Sequence, residues 1–67
     1  MNDTDMEKLE FLVDEYYIPE VVASLSAVCR LRADDIRGTD KEAAKKFEVY
    51  SDILNDARAK IDAASQG

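Results

Sequence analysis

Fifteen carboxylates, nine basic side chains and one thiol, Cys29, are most of what this 67-residue chain offers for chemistry; it has no histidine. Without an imidazole, the usual general base near neutral pH is missing. The glycines are Gly38 and Gly67, so no glycine-rich phosphate loop exists. The acidic residues nowhere follow the spacing of a calcium loop. One thiol builds neither a structural zinc site nor an intrachain disulfide. A carboxylate pair does acid–base work only in a pocket that raises one pKa, and short helices leave little room for one. The expectation is therefore a non-enzyme, with no catalytic residues, no metal ligands and no cofactor.

The remaining candidates are side chains that bind rather than react. Phe11 stands off the main apolar stripe of its segment, among Glu7, Lys8, Asp14 and Glu15. It is either a single exposed apolar residue or an anchor for another chain, since aromatics dominate interface hot spots. Glu48, Asp52 and Asp56 stand one helical turn apart. With Asp14 and Glu15 they suggest an acidic surface that a partner, or a nucleic-acid channel, would meet. The bland reading is a solvated face. Arg32 falls inside an apolar arc, where it either snorkels or meets an anion in a cleft. Tyr16 and Tyr17 join it in an alternative reading, a ligand pocket for a small anion or nucleotide. Cys29 reads as a small buried hydrophobe, or as a redox thiol if exposed with a low pKa.

Three helices must position these side chains. Thr4 and Glu7 have the spacing of a capping box, which predicts a first helix over about 4–17. Met6, Leu9, Leu12, Val13 and Tyr16 form its apolar stripe. Ile18 precedes Pro19 and is pushed toward extended backbone, and Pro19 suits the first turn of a second helix over about 19–37. There Val21, Leu25, Val28, Cys29, Arg32 and Ile36 share a face, while Ala23, Ala27 and Leu31 form a smaller one that admits a close neighbour. Gly38 predicts a left-handed helix end, and Thr39 with Glu42 a second capping box. A third helix over about 40–64 follows, with Ala43, Phe47, Tyr50, Ile53, Leu54, Ala57, Ile61 and Ala64 in one stripe. Its other side has supporting pairs, Glu42–Lys46, Asp56–Lys60 and Arg58–Asp62. The adjacent stop and start at Gly38–Glu42 fold the second and third helices into a hairpin. The chain reads as one all-α domain over 1–67, a short N-terminal helix packed on a long antiparallel helical hairpin.

Length and charge bound the rest. A chain this short buries about 60% of its unfolded surface and usually adds a disulfide, a metal or a partner chain. With the first two excluded, a homodimer or higher homo-oligomer is expected. Its interface is placed on Ala23, Ala27, Leu31 and the tail of the third helix. A net charge of −6 argues against direct binding of nucleic acid or an anionic membrane. No apolar run approaches a membrane span and no signal peptide is visible, so a cytoplasmic location is expected.

The segment Phe11-Leu12-Val13-Asp14-Glu15-Tyr16, continuing through Val21 to Cys29, resembles a family of small all-helical prokaryotic and phage proteins. Ala44-Lys45-Lys46-Phe47 resembles that family's later segment, with Phe47 at the place of a tryptophan. The resemblance spans about Phe11 to Ala64 and rests on helical core patterns. The chain departs from it at Asp35-Ile36-Arg37-Gly38, where the family carries histidine and tryptophan. The resemblance implies an intracellular helical protein and no particular activity; short acidic proteins of this kind in phages and plasmids often bind a host protein. Residues and resemblance together lead to a non-catalytic regulator, adaptor or inhibitor that binds another macromolecule. The alternative is an oligomer that sequesters a small anion.

Overall fold

A computed structural model describes residues 1–66. Three helices, α1 (Asp3–Tyr16), α2 (Ile18–Ile36) and α3 (Lys41–Gln66), make an all-α chain. α2 and α3 pack side by side as the hairpin, and α1 packs on α2 alone.

The helix ends differ from the sequence expectation in instructive ways. α1 is capped by Asn2, whose Oδ1 accepts the Asp5 N–H at 2.8 Å; Thr4 lies inside the first turn. An amide oxygen at the N-cap satisfies an orphan donor as well as a hydroxyl does, and it captures the chain two residues earlier. At the other junction α3 is capped by Asp40, which accepts from Ala43 N at 3.0 Å. Thr39 instead donates its hydroxyl to the Ile36 carbonyl at 3.1 Å. Gly38 is not left-handed, since no glycine has a positive φ among the described residues. The Thr39 and Asp40 N–H groups both reach back to the Ile36 carbonyl, at 2.9 and 2.7 Å, so a right-handed turn closes α2 with no special glycine geometry.

The positive φ falls at Tyr17, with φ 69° and ψ 156°. That single residue separates α1 from α2. Its N–H still bonds Val13 O at 3.0 Å, and its carbonyl accepts from Val21 N at 3.2 Å. Pro19 sits in the first turn of α2, where its missing donor costs nothing.

The hairpin seam is made of small side chains. Ser26, Cys29 and Ala33 of α2 meet Ala44 and Ser51 of α3, and these five are the buried residues among those described. Small residues let two helix axes approach closely. The approach brings the Ser26 hydroxyl to 2.9 Å from the Ser51 carbonyl and 2.7 Å from its Oγ. Arg30 Nε donates to Ser51 Oγ at 3.1 Å. No buried side-chain polar atom is left without a partner among the described residues. Of the long apolar stripes of α2 and α3 only Cys29 is buried in the seam; the others stay half-buried or exposed. The chain measures 40 × 31 × 14 Å with a radius of gyration of 13.8 Å, against about 11 Å for a compact domain of this length.

Candidate interaction surfaces

Helix rotation decides what each face of the hairpin carries. On α2, Leu25, Val28 and Arg32 immediately precede the seam residues Ser26, Cys29 and Ala33. On α3, Ala43 and Tyr50 immediately precede Ala44 and Ser51. One residue earlier is about a 100° turn in the same sense on each helix. In an antiparallel pair, equal turns from the seam point to the same side. Both apolar stripes thus share one broad face. The opposite face confirms the geometry. Arg30 follows Cys29, Asp52 follows Ser51, and the two meet at 3.3 Å.

The apolar face is open to solvent. Leu25 and Val28 are each 49% exposed and Ile53 is 59% exposed, with Tyr50 close behind. Phe47 stands edge-on to Tyr50 at a centroid distance of 6.1 Å, and Val21, Ile36, Leu54 and Ile61 are half-buried. Arg32 is a charge within this face. Its guanidinium pairs with Asp35 at 3.7 Å and so stands apart from the tyrosines with which the sequence grouped it.

The opposite face is polar and internally paired. Arg37 bridges Asp34 at 3.1 Å and also bonds Glu48. Asp52 holds Arg30, and Asp56 holds Lys60 at 3.4 Å. Glu48, Asp52 and Asp56 do follow one another along α3 as the sequence indicated, but each has a basic partner. No ion pair joins Glu42 to Lys46 among the described residues, whereas Arg58 and Asp62 pair at 3.7 Å. Exposed pairs of this kind contribute little, about 0–1 kcal/mol each.

The expected partner-binding residues fall into two groups. Phe11, Asp14 and Glu15 belong to α1, which makes no packing contact with α3, the helix that carries Glu48, Asp52 and Asp56. Phe11 is 64% exposed and lines a shallow apolar hollow with Thr4, Glu7, Lys8 and Leu12. Tyr16 and Tyr17 line an open cleft of about 700 Å³ at the free end of the hairpin, with Ala23, Ala27 and Arg58. Arg58 takes the place that the sequence gave to Arg32. Leu31 stays 64% exposed, and Cys29 is a free, buried thiol in the seam.

The seam network of Ser26, Ser51 and Arg30 was not singled out from sequence. Its signal was present: Ser26, Cys29 and Ala33 recur at helical spacing, one position behind the more conspicuous apolar stripe. Among the described residues no group of three or more His, Cys, Asp or Glu is placed to hold a metal ion, and no helix is long and apolar enough to cross a membrane. No family model, curated protein or solved structure matches the chain.

Proposed function

We propose that this chain is a non-catalytic interaction protein, a small regulator, adaptor or inhibitor that binds another macromolecule through its helix faces. The observation that carries this reading is the outward placement of its large apolar side chains. No residue larger than cysteine is buried among those described, whereas Phe11 stands proud of α1 beside Glu7, Asp14 and Glu15. An exposed aromatic with an acidic rim is the composition of an interface anchor, and the acidic rim favours a target with a basic surface. The paired state of Glu48, Asp52 and Asp56 makes the α3 acidic row the weaker of the two candidate binding surfaces.

Capture from host lysate with tagged protein tests the reading. One specific partner should be retained and should be lost with Phe11→Ala. The Asp52→Lys/Asp56→Lys double variant tests the α3 row in the same assay; loss there alone would move the binding surface to α3. If neither change affects capture, or nothing is captured, the assignment of these residues fails.

The alternative, sequestration of a small anion or nucleotide, draws support from the cleft in which Arg58 stands with Tyr16 and Tyr17. A saturating ligand at a hundred times its Kd adds about 2.7 kcal/mol of stability. A thermal-shift series of nucleotides and inorganic anions that moves nothing would remove it.

A further inference from the structure

The hairpin's apolar face has a specific occupant. We infer that it is covered by a second copy of this chain, so that two hairpins stack face to face into a four-helix core.

The first argument is surface area. The chain exposes 5384 Å² at a mass of 7.5 kDa. A compact monomer of that mass exposes about 4,200 Å². The surplus is about 1,200 Å² per chain, and a dimer that buried all of it would cover about 2,400 Å², in the size class of obligate homodimer interfaces.

The second argument is the missing core. The seam contains Ser26, Cys29, Ala33, Ala44 and Ser51, side chains that hold two helices close but remove little apolar area from water. A chain of this length needs more burial than that to offset its conformational entropy. Val21, Leu25, Val28, Phe47, Tyr50 and Leu54 supply it once they are covered. Facing hairpins that bury such stripes form a recurrent helical architecture.

The third argument is charge. The chain carries a net charge of −6, so most of its surface repels a second copy. The apolar face is the exception: its charges are Arg32, paired with Asp35 on the same helix, and Lys46, one turn before Tyr50, so it carries no excess of negative charge. An apolar patch of this kind is complementary to itself about a two-fold axis; the acidic faces are not. This places the interface on the side of the hairpin away from Ala27, part of the surface that the sequence had suggested, while Leu31, one turn from Val28, borders it. α1 adjoins the edge of this face, where Leu12 and Tyr16 stand with Val21 and Ser24, and Phe11 does not line that hollow. The inference therefore stands apart from the partner-binding reading.

The test is sedimentation of the untagged chain across a dilution series, with helicity followed by circular dichroism on the same samples. The expected result is twice the chain mass, with mass and helicity falling together on dilution. Val28→Glu should weaken association by more than about a hundredfold, because an unpaired carboxylate from each copy is forced into the interface. Since that variant also risks unfolding, Ala27→Glu on the polar side, seven residues before Asp34, serves as the control and should leave the mass unchanged. A fully helical species at single-chain mass across micromolar concentrations overturns the proposal. So does a dimer that survives Val28→Glu and is lost in Ala27→Glu. A monomer that still captures a target through Phe11 would overturn self-association alone. A dimer that captures nothing would leave self-association standing and remove the partner reading.

Discussion

Tyr17 is where a single residue bears the strain of the fold. A φ of 69° with a ψ of 156° is a region open essentially to glycine and costs other residues about 1–3 kcal/mol. The tyrosine ring recovers little of this, since Tyr17 is 76% exposed. Tyr17→Gly should stabilise the protein by about 1 kcal/mol, after the backbone entropy of glycine is deducted. A thermal melt at fixed protein concentration should shift upward by about 4–8 °C. A fall in the midpoint would mean that the ring makes a packing contribution larger than the strain. Neither Ile18 nor Pro19 announces such a residue. Proline shows that a helix must restart, but the backbone angle that turns α1 away depends on where α1 comes to rest against α2.

At the scale of elements, the caps decide where each helix begins. Asn2 and Asp40 hold the N-terminal positions, one or two residues from the threonines that the capping-box spacing favoured. Asp40→Ala should cost about 1 kcal/mol, and Thr39→Ala less. Thr39 bonds only the Ile36 carbonyl, which the Thr39 and Asp40 N–H groups already reach. Urea denaturation of the two variants ranks them directly; the reverse order would restore Thr39 as the cap. Both assignments satisfy the same need, a side-chain oxygen over the first turn of a helix. For that reason the existence of the helix start was legible from residue types and its register was not.

At the scale of the whole molecule, charge and apolar area pull in opposite directions. Beyond the six exposed ion pairs among the described residues, the chain keeps a net charge of −6, and a pair of chains would carry twice that. Screening should therefore favour the folded, associated state more than it costs the exposed pairs. Raising sodium chloride from about 0.05 M to about 0.5 M is expected to raise the melting midpoint at constant protein concentration; a fall would show that the ion pairs dominate. The residue pattern alone determined that there are three helices and that the second and third fold back as a hairpin. Those properties follow from local spacing and composition, which do not depend on distant neighbours. Only the tertiary structure decided which face of each helix became the seam. Packing chose Ser26, Cys29, Ala33, Ala44 and Ser51 over the more apolar stripes beside them, because small side chains and a shared serine hydrogen-bond network let the helices close on each other. That choice turned Leu25, Val28 and Tyr50 outward, separated Arg32 from Tyr16 and Tyr17, and gave Glu48 and Asp52 of the α3 acidic row basic partners in Arg37 and Arg30. No local signal ranks one helix face above another when both are rich in apolar or small residues; the ranking depends on how closely two particular surfaces can approach.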